Sequence, residues 1–153
     1  MIIREATEED LPQVLLIEQE SFTPPWTYES FIYELLLESS FFRVAVIDDN
    51  VVGFYIIRRL IDEAEIINLA VSKSFRRSGI ADELMQSIMD FASNNMIKTI
   101  FLEVRKSNYP AIALYRKYNF TPLGIRKDYY TEPIEDAITM ALKRLMEINR
   151  EIS

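Results

Sequence analysis

Ile66-Ile67-Asn68-Leu69-Ala70-Val71, then after four residues Arg76-Arg77-Ser78-Gly79-Ile80-Ala81, is the stretch whose reading decides the fold. An apolar run ends, a basic loop follows, and residues at helical spacing begin at once. Gly79 is one of only three glycines in the chain. A strand, a glycine turn and a helix N-terminus gather free backbone N–H groups and point them outward, an arrangement that binds phosphate. Arg76 and Arg77 place positive charge beside them. The stretch therefore predicts a ligand carrying phosphate or pyrophosphate. Taken as structure alone, it is a tight turn with two solvated arginines.

Working outward, Ile80, Leu84, Ile88 and Phe91 recur at helical spacing and predict a helix over 80–95. The strand before the loop spans 63–71. Upstream of it lie predicted strands over 2–6, 41–47 and 51–61, the last two joined at Asp48-Asp49-Asn50. Thr7 caps a predicted helix reaching about Ser21, with Glu8, Glu9 and Asp10 where the helix dipole favours carboxylates. Phe22-Thr23-Pro24-Pro25-Trp26 breaks that helix, and Thr27 caps a second one to about Ser39. Downstream, 99–104 reads as a strand and 109–118 as a short helix closed by a left-handed Asn119. Two strands, 123–130 and 136–142, finish the chain. Residues 1–153 read as a single α/β domain, a mixed sheet of about seven strands flanked by about four helices.

Composition narrows the chemistry. Apolar residues make up 49% and charged residues 27% of the 153 positions, ordinary for a globular protein. There is no cysteine, so thiolate nucleophiles, disulfides and zinc–thiolate sites are excluded. There is no histidine either, so acid–base chemistry must fall to Glu, Asp, Lys or Tyr. A net charge of −7 argues against direct nucleic-acid binding and leaves basic peptides as partners. No apolar run has the length of a membrane span, and the first residues lack a signal-peptide pattern. A cytoplasmic location is expected.

Four groups of residues could carry chemistry. The first is the phosphate loop. The second is Glu103, which shares one strand face with Phe101 and Arg105 while Ile100, Leu102 and Val104 share the other. Strands between helices are mostly covered on both faces, so a carboxylate there is costly unless paired or functional. Pairing with Arg105 or solvent exposure is its structural reading. A general base is its functional one, because ligands favour the carboxyl ends of strands in open α/β sheets. The third group is Asn108 and Tyr115, two helical turns apart on one face. Tyr115 is either a core aromatic or a proton donor. The fourth pairs the loop from Phe22 to Trp26 with Lys127-Asp128-Tyr129-Tyr130: either packing under loops, or two walls of a groove for an extended peptide.

Together these residues resemble the GNAT family of N-acetyltransferases. The family's cofactor signature, Gln/Arg-x-x-Gly-x-Gly/Ala, is matched by Arg76-x-x-Gly79-x-Ala81. The resemblance implies acetyl-CoA as cosubstrate. Arg76, Arg77, Ser78, Gly79, Ile80 and Ala81 would hold the pyrophosphate, the backbone of Leu69, Ala70 and Val71 would line the pantetheine arm, and Asn108 would assist. Leu102-Glu103-Val104-Arg105, Ser107-Asn108, Ala111 to Tyr115, Tyr129-Tyr130 and Glu135-Asp136-Ala137 are similar to the N-terminal branch of the family. That branch includes ribosomal-protein-alanine N-acetyltransferases and archaeal N-terminal acetyltransferases. The likeness implies acetyl transfer to the α-amine of a protein N-terminus, ribosomal proteins among the candidates. Glu103 would be the base, Tyr115 the acid, and Phe22, Trp26 and Tyr130 the acceptor walls, with no metal. The chain departs from the pattern at Asn119, often glycine, and at Asp82 beside the phosphate site. The segment Thr131-Glu132-Pro133-Ile134 lacks the glycine of the bacterial enzymes. A small-amine or lysine acetyltransferase of the same fold, and a non-catalytic CoA-binding module, are the alternatives.

Overall fold

A computed structural model describes residues 1–144. The elements run β1 (Ile2–Glu5), a 3-10 turn (Glu8–Asp10), α1 (Leu11–Ser21), α2 (Tyr28–Leu36), β2 (Ser40–Ile47), β3 (Asn50–Leu60) and β4 (Glu63–Val71). There follow α3 (Ile80–Asn94), β5 (Thr99–Arg105), α4 (Tyr109–Lys117), β6 (Thr121–Thr131) and β7 (Ile134–Lys143). The seven strands form one sheet in the order β1-β2-β3-β4-β5-β7-β6. Only β4 and β5 are parallel; α3 makes the crossover between them. The mixed seven-stranded sheet with four α-helices is the expected α/β architecture.

Two apolar clusters pack against the sheet. One joins Leu84, Ile88, Ile100, Leu102, Tyr115 and Phe120, from α3, β5, α4 and the turn after α4. The other joins Leu11, Val14, Ile17 and Phe31 of α1 and α2 to Phe42, Phe54, Ile56 and Ala70 of β2 to β4. β3 is apolar almost throughout because it is covered on both faces. β5 is not. Its Ile100, Leu102 and Val104 are buried, but Phe101, Glu103 and Arg105 are only half-buried. The expectation of full coverage is corrected here: the α1–α2 cluster ends at β4 and leaves that face of β5 open. The second helix is also shorter than expected, ending at Leu36 because Leu37 is already extended.

One irregularity shapes the rest. β4 pairs with β5 only from Glu63–Thr99 to Ile66–Leu102. On its other edge Ile57 faces Ile66, but Ile56 faces Asn68, so Ile67 is an extra residue, a β-bulge. A bulge bends its strand and increases the local twist. From Ile67 onward β4 turns away from β5, and the gap between them opens.

At the other end of the chain's first segment, Asp10 ties β1 to α1. It takes hydrogen bonds from Arg4 (2.8 and 2.9 Å) and from the Thr7 backbone N–H (2.8 Å). Arg4's hydrogen bonds hold the Asp10 carboxyl below the usual carboxylate range, against the opposing effect of burial. A lowered folded-state pKa stabilises the protein above the unfolded value of about 3.9, and that contribution is lost as pH falls through the folded value. Asp10→Asn, which turns an amide donor toward Arg4, should cost about 1–3 kcal/mol at pH 7. Urea unfolding of both proteins at pH 7 and near pH 3 should show the difference shrinking at the lower pH.

Candidate active site

The gap between β4 and β5 opens into a cleft of 920 Å³. Its floor is Ile67, Asn68 and Leu69 after the bulge and Glu103, Val104 and Arg105 of β5. α4 contributes Ala111 and Tyr115, with its N-cap Asn108. One wall is the α1–α2 loop with Phe22 and Trp26; the other is the β6–β7 hairpin with Tyr129, Tyr130 and Glu132. The structure thus brings Leu69, Glu103, Asn108, Tyr115, Phe22, Trp26 and Tyr130 to one cavity, from segments far apart in sequence.

The two proton-handling candidates occupy different settings. Glu103 has a side chain 16% exposed, and both its oxygens accept from Nη1 of Arg126, at 3.1 and 3.0 Å. Arg105 is not its partner, although they share a strand face; Arg105 turns to Glu135 at 3.1 Å. Arg126 comes from β6, and its guanidinium also lies 4.5 Å from the centroid of the Tyr129 ring. Tyr115 is buried and packs on Phe120 with ring centroids 5.8 Å apart. Burial pushes its phenol well above the usual range, so it is protonated throughout the physiological range. Tyr115 is therefore both a core aromatic and a residue of the cleft. Tyr130 is pushed up to about 12, by burial first and then by the charge of Glu103.

The phosphate loop lies at the far mouth of the gap, beyond Val71. Gly79 is left-handed (φ 83°), and a Cβ built on it meets no atom within 4 Å. The turn is thus an open cradle of main chain at the start of α3, whose first N–H groups have no partners within the helix. Arg76 points back instead of outward: Nε donates to the Val71 carbonyl (3.3 Å) and Nη2 to Ser21 Oγ (3.2 Å). It fastens the loop to the end of β4 and to α1. The side chains of Ala70, Val71 and Ile80 belong to the cores, so only their backbone can meet a ligand. Asn108 caps α4, accepting from the Ala111 N–H at 3.3 Å, which engages its carbonyl but not its amide nitrogen. Asp82 turns aside to Lys117 (2.6 Å) and Tyr118 (2.9 Å), so its charge is neutralised away from the cradle.

Two residues gain importance only from the structure. Glu18 is 1% exposed; it accepts from Asn68 Nδ2 at 2.7 Å and from the Trp26 N–H at 3.0 Å. Burial pushes its carboxyl up, while these two donors favour its charge. It joins the bulged part of β4 to the acceptor wall. A signal was present in the sequence, since Glu18 falls on the apolar stripe of Leu11, Val14 and Leu15. Arg105 is the second. No cluster of three His, Cys, Asp or Glu suited to a metal occurs among the described residues.

Residues 11–120 match the model of the acetyltransferase (GNAT) family. The chain belongs to the GNAT family. A Bacillus subtilis protein provisionally named [ribosomal protein bS18]-alanine N-acetyltransferase is 39% identical over 90% of this chain and 92% of its own. An N-alpha-acetyltransferase of Saccharolobus solfataricus is 34% identical over 91% of this chain and 90% of its own. The crystal structure of the ribosomal-protein-S18-alanine N-acetyltransferase from Escherichia coli superposes with a TM-score of 0.87 at 33% identity. It covers 95% of this chain and 94% of the other. The protein is accordingly an acetyl-CoA-dependent N-acetyltransferase. The open cradle at Gly79, the α3 N-terminus and the unpaired edge of β4 fit that cosubstrate. Gly79→Val would add a branched side chain at a left-handed position facing the cradle. Calorimetry should show acetyl-CoA binding weakened at least tenfold; equal affinity of the two proteins would refute the assignment of the loop.

Proposed function

We propose that the protein transfers acetyl from acetyl-CoA to the α-amine of a protein N-terminus, with Glu103 as base and Tyr115 as acid. The observation that carries this reading is the position of Glu103. It stands on the open face of β5, just past the point where pairing with β4 stops, between two aromatic walls. Acetyl-CoA supplies an acetyl group already activated as a thioester. The unpaired backbone of β4 after the bulge orients that group, and an N–H near Leu69 polarises its carbonyl. Glu103 accepts one proton from the attacking amine. Tyr115, whose proton burial retains, gives one to the departing sulfur. Tyr115 is buried, whereas Glu103 stands on the open side of the cleft, paired with Arg126.

An α-ammonium has a pKa near 8, so about a tenth is neutral at pH 7 and a modest base suffices. A lysine, near 10.4, makes a heavier demand. This favours the α-amine over the lysine alternative for a carboxylate base, and the groove walls of Phe22, Trp26 and Tyr130 favour a peptide over a small amine. Phe22 and Trp26 are themselves packed on the α1–α2 core, Trp26 against Phe31 at 5.3 Å, so that wall is rigid. The bS18 named for the relatives makes a ribosomal protein the acceptor class to test first. We assign the whole chain to one acetyltransferase domain acting in the cytoplasm; no helix among the described residues is long and apolar enough to cross a membrane.

Glu103→Gln should lower turnover about 10²-fold or more, with acetyl-CoA affinity nearly unchanged and partial recovery at high pH, where more amine is already neutral. Tyr115→Phe should slow the reaction with little loss of stability, because the ring still packs on Phe120. Turnover at the wild-type rate in either variant would remove that residue from the mechanism. The acceptor is tested with one peptide in two forms: free N-terminus with lysines blocked, and blocked N-terminus with lysines free. Faster acetylation of the second form would replace the α-amine reading with the lysine one.

A further inference from the structure

The guanidinium of Arg105 spans the cleft from one wall to the other. Nη2 donates to the Thr23 carbonyl of the α1–α2 loop (2.8 Å) and to the Glu132 carbonyl of the hairpin (3.3 Å). Nη1 donates to the Pro133 carbonyl (3.0 Å) and to Glu135 Oε1 (3.1 Å). These four bonds use all four N–H groups of the two terminal nitrogens. The same guanidinium lies 4.4 Å from the centroid of the Tyr130 ring. Glu135 is fixed in turn, its Oε2 accepting from the Ser107 N–H at 2.6 Å. The side chains of Arg105 and Glu135 are each only 19% exposed, so the pair is shielded from solvent screening better than a surface pair.

We propose that Arg105 is a positioning residue that straps the two acceptor walls together and so confines the cleft to the end of a chain. The inference rests on reading the cleft as the acceptor site. Arg105 stands two residues beyond Glu103 on the same face of β5, roughly 7 Å along the strand. The bridge from loop to hairpin therefore closes the groove just past the base. An α-amine needs a path for one chain leaving the site. A lysine within a chain needs paths for two, one on each side, and the strap obstructs one of them. The partners of Arg105 are Thr23, Glu132, Pro133 and Glu135, none of them in the phosphate loop, so the effect should fall on the acceptor. A lysine at 105 keeps the charge but has one nitrogen with three N–H donors in place of a planar fork, so it cannot make all four bonds to the loop, the hairpin and Glu135.

The test compares the wild-type enzyme, Arg105→Lys, Glu135→Gln and the double variant, using the two peptide forms described above and acetyl-CoA titrations. In Arg105→Lys the peptide KM should rise at least tenfold, with acetyl-CoA affinity within twofold of wild type. The preference for the free N-terminus over the lysine form should fall. Glu135→Gln should raise the same KM by less. The double variant should be no worse than Arg105→Lys, since both act on one strap. An unchanged peptide KM in Arg105→Lys, or a parallel loss of acetyl-CoA affinity, would overturn the strap. Failure of the wild-type enzyme to acetylate either peptide would overturn the acceptor reading and the strap with it.

Discussion

A parallel strand pair that stops pairing half-way exposes a row of peptide groups inside the molecule, and the rest of this site depends on that. β4 and β5 are hydrogen-bonded as far as Ile66 and Leu102. One extra residue, Ile67, then bends β4 away. Unpaired backbone groups are costly when buried without partners. Here they line an open cleft, where water satisfies them in the free protein and a ligand can replace it. The same divergence frees one face of β5, so Glu103 reaches the cavity from the sheet. It also leaves Val71 and the Gly79 cradle at the opposite mouth. Two substrates can thus approach from opposite sides and meet in the gap, which converts an encounter in solution into a positioned reaction.

The walls of the gap are held by charged groups used as mechanical ties. Glu18 joins Asn68 of the bulged strand to the Trp26 backbone, and Arg105 joins Thr23 to the hairpin. The α1–α2 loop is therefore fixed near both ends by groups of opposite charge. Arg76 does the same for the cofactor loop, anchoring it to Val71 and Ser21. Glu18 is buried and Arg105 largely shielded, and in such places these bonds are stronger and breaking one partner leaves another unsatisfied; Arg76 is exposed. The sequence has no histidine, and no cluster of three His, Cys, Asp or Glu suited to a metal occurs among the described residues. In the proposed mechanism a carboxylate suffices for an amine of modest pKa, and the buried phenol of Tyr115 keeps its proton for the leaving group.

Much of this was legible in the sequence where local signals agreed. β4 appears with the bounds expected from its apolar run, and α3 begins at Ile80 as its periodicity indicates. Asn119 is left-handed as expected of a residue closing a helix (φ 71°). What escaped depends on register and on contacts between distant segments. The bulge at Ile67 is invisible in an unbroken apolar run. The partner of Glu103 is Arg126, not Arg105, because β6 comes to lie beside β7 at the edge of the sheet, with a register shift between Arg126 and Tyr130. The reach of Arg105 to Thr23 joins residues 82 positions apart, which no periodicity encodes. The open face of β5 has a related cause. α1 and α2 are short, and together they cover the sheet only to β4. Helix length, more than strand composition, decided which carboxylate stayed accessible.

The most direct test of the account is a crystal structure with a bisubstrate analogue in which CoA is joined to the α-nitrogen of a short peptide. The account predicts the pyrophosphate on the main chain at Gly79, the pantetheine arm along β4 between Leu69 and Val71, and the sulfur beside Tyr115. It places the peptide nitrogen within reach of Glu103 and the peptide between Trp26 and Tyr130. A peptide bound elsewhere, with Glu103 still closed on Arg126 and remote from the nitrogen, would contradict it.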